Sequence, residues 1–533
     1  MSGLLSATLT GSARERGRQH GERFGAQARE SGVLDFYRGF CGRQIFADLP
    51  GPVGWTLDHL HGLFASRLSE GARERVEGFA EAAGLPAREM LEGMAMPDVL
   101  NYLMGVSGRV MSAPTLGCTS AAAWGDYTPD GRLLYARNLD FPGNEVWDRF
   151  PLMLRHQPDR GIPYVSIGCA GSVADGITGI NEEGLTVAVH QHYSAEVGWP
   201  GGRPILDMSG QVLQFCRDID EAIALCSAWP ATSGWSVVLT HWKKREACVI
   251  QKTARRTAVH RTSEGRLVHT NTYHDLALRR TELDRPVFVE SSRLRRARAT
   301  ALLEEHKSRV APAMLASLLN DRLDPDRGLV RAFGQAIHQP YTVTSVVMDP
   351  ERGLAWIADG PAPVCAGTYR GVSLWDERSV DDTLTPADPL PTTKRRAYGR
   401  YLDGYNAWMR DRHRTAAHAA LADAAKLDPE DPIYRHLHGL MSLMSGEHAA
   451  AASSFEAGAA LPDIPHRRDA SRLWQARALD LLGRRGEAAR LYAAVAAERP
   501  TRLLHAAAEK GASRAYRPAP ILPDFLYGDA YVY

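Results

Sequence analysis

A cysteine directly after a glycine, at the head of a strand, is the feature that most constrains what this chain can become. Residues 117–141 read as a strand led by Gly117 and Cys118, a turn at Thr128, Pro129, Asp130 and Gly131, and a second apolar strand through Leu133, Leu134, Tyr135 and Ala136. That second strand ends on Arg137, Asn138, Leu139 and Asp140. Without a Cβ, Gly117 leaves the backbone room to bring the Cys118 thiol to the preceding carbonyl. Attack there would turn the amide into a thioester. Water would then release residues 1–117 and leave Cys118 with an α-amine whose ordinary pKa of about 8 suits a general base near neutral pH. One residue would thus be nucleophile and base together. Arg137 and Asp140 would lie beside it, the guanidinium to lower the thiol pKa and the carboxylate to orient the ammonium. The plain alternative is a cysteine buried as a small apolar residue.

Further segments, in order, resemble the N-terminal nucleophile (Ntn) hydrolases, specifically isopenicillin N acyltransferase and its bacterial relatives, with choloylglycine hydrolases as more distant kin. Gly11, Gly17, Gly21 and Gly25 are similar to the glycine-spaced opening helix of the acyltransferase precursors. Gly117-Cys118-Thr119-Ser120 and the pair Arg137 and Asp140 resemble the nucleophile and its arginine-aspartate partner. Gly179 to Leu185, with Asn181 inside it, resembles a Gly-x-Asn-Glu-x-Gly-Leu turn, and His269-Thr270-Asn271 resembles the later Thr-Asn segment. Ser291-Ser292-Arg293 resembles the segment that carries a late active-site arginine.

The resemblance implies Cys118 as nucleophile and autocleavage between Gly117 and Cys118. It also implies Arg137 and Asp140 as its partners, Asn181 and Asn271 as oxyanion or substrate-orienting donors, and Arg293 as a further catalytic residue. Amide side chains suit the donor role because they offer hydrogen bonds without adding charge. Read from the residues alone, Asn181 is better a turn cap and Asn271 a strand-end amide. Arg293, in a run with Arg295, Arg296 and Arg298, is better a solvated helix face.

His190 and His192 flank Gln191 on one strand, where a period of two puts both imidazoles on one face. They are expected to wall the substrate pocket; a surface-facing pair is the alternative. No third ligand follows at metal-binding spacing, so no metal is expected, nor any other cofactor.

The implied fold is an α/β (α+β) Ntn-type four-layer αββα sandwich of antiparallel sheets, with an N-terminal helical segment and a C-terminal α-helical repeat domain. Residues 1–117 are expected to be a helical pro-segment, with Val76, Phe79, Ala80 and Ala83 at helical spacing. Residues 118–380 form the catalytic domain, ending on a hairpin through Pro350 to Gly353. A proline-rich linker, 381–394, predicts a boundary with an independent helical core beyond it. Within 395–512, Leu427 recurs as Leu461, which resembles the tetratricopeptide period of about 34 residues, and an insertion is expected near Pro462 to His466. The tail, 513–533, is rich in proline and aromatic residues and is expected to dock on a groove.

Of 533 residues, 63 are Lys or Arg and 62 are Asp or Glu, so the net charge of +1 gives no reason to expect nucleic acid or an anionic membrane as partner. The start of the chain lacks a basic stretch followed by a sustained apolar one, which predicts a cytoplasmic protein. Seven scattered cysteines without paired spacing predict neither disulfides nor zinc. The expected activity is hydrolysis or transfer of an acyl group at an amide bond through a thioester on Cys118. The substrate is a small-molecule or peptide N-acyl amide, with an acyl thioester as the donor in the transfer case. Two alternatives stand beside it: an idle Ntn scaffold that binds a protein partner through its repeats, and a dedicated peptide-processing protease.

Overall fold

The computed structural model describes residues 3–39, 59–107, 117–198, 202–283, 285–521 and 523–530. Two large sheets stack face to face. One runs in the order β1 (Leu5–Gly11), β4 (Pro151–Pro158), β5 (Tyr164–Cys169), β6 (Thr178–Asn181), β7 (Leu185–Gln191), β8 (Trp235–His241), β9 (Glu246–Lys252), β10 (Thr257–Thr262). The other runs β11 (Arg266–His269), β2 (Gly117–Gly125), β3 (Gly131–Asp140), β14 (Thr342–Asp349), β15 (Leu354–Asp359), β16 (Thr368–Ser373), β17 (Thr383–Leu384). A short hairpin, β12 (Leu323–Asp324) and β13 (Leu329–Val330), lies outside both. All pairings in the two sheets are antiparallel except β1 with β4.

Alternate residues from both sheets fill the space between them, among them Ala122, Leu133, Tyr135, Val165, Ala188, Val238 and Val346. Helices α3 (Glu70–Ala83), α4 (Ala87–Ser107), α5 (Ile205–Phe215) and α6 (Ile219–Ala228) cover the outer face of the first sheet. Beyond them in the chain lies the short α7 (Leu276–Arg279). Helices α8 (Pro286–Glu305) and α9 (Pro312–Leu319) cover the outer face of the second. The result is the αββα sandwich that the sequence implies.

The N-terminal segment departs from the expectation of a purely helical piece. It opens with β1, which completes the first sheet, and continues into α1 (Ala13–Glu30) through a capping box at Ser12 and Glu15 and then into α2 (Val33–Arg38). Along α1 the glycines at 17 and 21 let the helix touch α3 backbone to backbone. A Cβ on Gly17 would sit 2.1 Å from the Arg75 carbonyl oxygen, and one on Gly21 would sit 2.5 Å from that of Phe79.

Residues 381–394 are not a free linker, because Thr383 and Leu384 form the edge strand β17 on β16. Helices α10 (Thr392–Met409), α11 (Arg414–Leu427), α12 (Pro432–Met444), α13 (His448–Ala459), α14 (Pro465–Leu481), α15 (Arg485–Ala497) and α16 (Arg502–Ser513) follow, each packed on the next. Their core is continuous with the sandwich, which corrects the expectation of an independent one. Tyr193, Phe288, Phe333 and Tyr341 share a cluster with Tyr398, Tyr401, Tyr434 and Tyr527. The tail ends in a two-stranded turn, β18 (Pro523–Asp524) and β19 (Asp529–Ala530), with Phe525, Leu526 and Tyr527 buried. Among the described residues no helix is long and apolar enough to cross a membrane.

Candidate active site

Cys118 is the second residue of β2 and is buried, paired with Leu139 of β3, while Gly117 pairs with Asp140. Its Sγ lies 3.4 Å from Nη2 of Arg137 and 3.7 Å from the carbonyl oxygen of Val189. Arg137 is itself tethered, donating to the carbonyls of Ile177 and Val189 and to the Thr178 hydroxyl. Burial pushes the Cys118 thiol up, Arg137 opposes it, and Asp140 adds to the rise. The expected lowering by the guanidinium is therefore outweighed, and the thiol is neutral near pH 7.

Asp140 sits against Gly117. A Cβ at position 117 would lie 3.0 Å from Oδ2 of Asp140 and 3.3 Å from Oη of Tyr341, so a larger residue here would crowd both side chains. Oδ1 of Asp140 accepts from the Thr342 hydroxyl at 2.7 Å. Burial pushes this carboxyl up to about 6, against the opposing influence of Arg295, Thr342 and Arg137.

The backbone of Cys118 is gripped from both sides. Its N–H donates to Oδ1 of Asn271 at 2.8 Å, and its carbonyl accepts from Nη1 of Arg295 at 2.6 Å. Arg295 also donates to the same Asn271 oxygen at 2.9 Å and to the Thr119 hydroxyl at 3.0 Å. Asn271 is held by its own N–H to the Ser292 hydroxyl and by Nδ2 to the Gln191 carbonyl. It stands at Cys118 as expected, yet there its side chain accepts rather than donates.

Two of the sequence-predicted residues are placed away from Cys118. Arg293 is on the outward side of α8, paired with Glu290 and Asp326; Arg295 takes the site position. Two residues along a helix turn the side chain by about 200°, so the two arginines face opposite ways. The missed signal was spacing: Ser291, Arg295, Ala299 and Leu302 recur at helical intervals and all are buried. Asn181 also fails to reach Cys118. Its Nδ2 donates to the carbonyls of Leu213 and Cys216, and its Oδ1 accepts from Leu185 N, so it clamps the β6–β7 turn to the end of α5.

The pocket at Cys118 is narrow and apolar, walled by Tyr37, Met90, Met94, Met96 and Pro97 from the N-terminal segment and by Leu139, Phe141, Trp147, Ile177, Val189, Gln191 and Trp235. His190 and His192 are not in this wall. They point between the sheets, His190 to the Ser120 hydroxyl at 2.8 Å and His192 to that of Ser236 at 2.7 Å, while Val189 and Gln191 present the pocket face. Burial and the Arg137 charge hold His190 well below its ordinary pKa, and burial does the same for His192.

Residues 127–361 match the family model of acyl-coenzyme A:6-aminopenicillanic acid acyl-transferase. That stretch begins just beyond Cys118 and takes in Arg137, Asp140, Asn271 and Arg295. An uncharacterized protein of Archaeoglobus fulgidus is 25% identical over 266 residues, 47% of this chain and 44% of that protein. The matched part of the sandwich is therefore similar to acyl-transferring enzymes of the Ntn kind.

Proposed function

We propose that this chain is a cysteine Ntn enzyme. It cuts itself between Gly117 and Cys118 and then hydrolyses or transfers an acyl group at an amide bond through a thioester on Cys118. The observation that carries the reading is the convergence on Cys118 itself: Sγ beside Arg137, backbone nitrogen on Asn271, carbonyl on Arg295, and Asp140 against Gly117. In the cut, Sγ bonds to the Gly117 carbonyl carbon, the C–N bond breaks, and the thiol proton goes to the leaving nitrogen of Cys118. Water then hydrolyses the thioester, leaving a carboxylate on Gly117 and a free thiol on Cys118.

The nitrogen on which Asn271 is aimed thereby becomes the α-amine. In turnover that amine takes the thiol proton, the thiolate attacks the substrate carbonyl, and the proton passes on to the leaving amine. An amine or water resolves the thioester, which is the difference between transfer and hydrolysis. Arg137 stabilises the thiolate, and Asn271 and Arg295 keep the nucleophile in register. The apolar wall suits an aliphatic or aromatic acyl group over a charged one, because among the described residues lining it none carries a charge that would compensate a buried one.

Intact-mass measurement of the purified chain tests the cut. Two fragments ending at Gly117 and beginning at Cys118 are expected, and Cys118→Ala is expected to stay whole and to release no acyl group from N-acyl amides. Unchanged turnover in Cys118→Ala would end the reading.

A further inference from the structure

The C-terminal turn reaches the nucleophile's surroundings. The ring of Tyr527 stands edge-on to that of Tyr341, with centroids 6.0 Å apart at 77°, and to that of Phe288, 5.6 Å apart at 87°. Tyr341 is the residue whose hydroxyl bounds the space beside Gly117, 3.3 Å from where a Cβ at position 117 would sit. Phe288 is in the first turn of α8, the helix that delivers Ser292 and Arg295 to Asn271 and Cys118. One side chain from the far end of the chain thus touches both supports of the site.

Tyr527 is held where it is by a dedicated set of bonds. Asp524 Oδ1 accepts from the N–H groups of Leu526 and Tyr527, and the Gly528 N–H closes the turn on the Asp524 carbonyl at 2.8 Å. The fully buried Arg467 donates to the carbonyls of Tyr527 at 2.8 Å and Gly528 at 2.7 Å, and the Tyr401 hydroxyl donates to that of Phe525. The turn is thus fixed by side chains from α10 and α14, which hold Tyr527 in one place.

We propose that the C-terminal turn is a working part of the Cys118 site, with the Tyr341 hydroxyl bounding the space beside the scissile residue Gly117 and Tyr527 acting as the positioning residue that sets Tyr341 and the Arg295 helix. The inference rests on the cleavage reading above. It makes maturation depend on the C-terminal helices being folded and docked first.

The test uses the full chain and its variants Tyr527→Ala, Tyr527→Phe and Tyr341→Phe. Two readouts are taken: the first-order rate of the Gly117–Cys118 cut by intact mass, and the pH dependence of Cys118 alkylation by iodoacetamide, resolved by peptide mass. Tyr527→Ala is expected to slow the cut by about 10²-fold, the loss typical of a misplacement of about 1 Å. Tyr527→Phe keeps the ring contacts and loses only the hydroxyl's interaction with Tyr341, so it is expected to slow the cut by clearly less than Tyr527→Ala does. Tyr341→Phe keeps the packing and the thermal transition but removes a dipole beside Asp140. The charged and titratable groups facing that carboxyl are Arg137, Arg295, Cys118, Cys365 and Tyr341. Losing one polar neighbour perturbs the buried carboxyl whose charge, after burial, helps hold the Cys118 thiol up, so the alkylation profile should shift away from the parent's. A parent-like rate and alkylation profile in Tyr527→Ala, or an unmoved profile in Tyr341→Phe, would overturn the proposal. A parent chain that never cuts would overturn the cleavage reading alone, and the alkylation profiles would then decide the role of the turn by the same outcomes.

Discussion

The segments before and after the sandwich are fastened to it by different physics. The N-terminal segment is joined in good part through main chain, β1 pairing with β4 from Leu5 on Leu152 to Gly11 on Pro158, with Phe36 and Tyr37 adding ring contacts to Phe141 and Trp147. The C-terminal helices are joined largely through aromatic side chains, Tyr398, Tyr401, Tyr434 and Tyr527 meeting Phe333, Tyr341 and Phe288. Main-chain pairing is indifferent to which side chains are present and survives a cut at residue 117. Aromatic packing depends on particular rings, so it passes small displacements on to whatever those rings touch.

The sharpest way to break the contrast is to delete residues 392–533. With Tyr193, Phe288, Phe333 and Tyr341 uncovered, the remainder is expected to aggregate and lose its cooperative thermal transition, because so large an apolar face is not tolerated in water. A soluble, cooperatively unfolding fragment would show the two parts to be separable. Next in size is Gly21→Ala, whose Cβ meets a backbone oxygen that cannot swing aside. A loss near the top of the roughly 1–3 kcal/mol range for overpacking is expected in denaturant titration. Arg295→Met against Arg293→Met sharpens the site. The first is expected to lower turnover of the processed enzyme by about 10²-fold and the second to leave it within about twofold, since its partners Glu290 and Asp326 are on the surface.

The smallest effect is on pH. Burial lowers His20 of the N-terminal segment from 6.5 to about 3. The unfolded chain therefore binds the extra proton below pH 6.5 and the native one does not, so stability is full above 6.5 and falls as pH drops towards 3. At pH 5 this amounts to about 2 kcal/mol. Thermal midpoints of the parent and His20→Gln, measured at pH 7 and pH 5, should show the acid loss reduced in the variant.

Much of the fold was legible because its signals are local. Val76, Phe79, Ala80 and Ala83 all face the core as their spacing predicts, and the hairpin of β14 and β15 turns at Pro350 to Gly353. The errors arose where the deciding contact is distant. Every residue of β7 is buried, so alternation of apolar and polar residues could not tell which face meets the pocket, and the histidines were assigned to the wrong one. Arg293 and Arg295 differ only in which side of α8 is covered. Asn181 stands in a motif that is also an ordinary turn, and its side chain bonds to that turn and to the end of α5. β1 escaped notice because its partner lies across the whole N-terminal segment.

Tyr37, Met90, Met94, Met96 and Pro97, which wall the pocket, all precede residue 127, where likeness to the acyltransferase family begins. Part of the pocket's shape is thus written ahead of the stretch that matches the acyl-transferase model, and part, from Leu139 to Trp235, within it. A library randomised at Met90, Met94 and Met96 would explore new substrates at no direct cost to the groups that bond to Cys118.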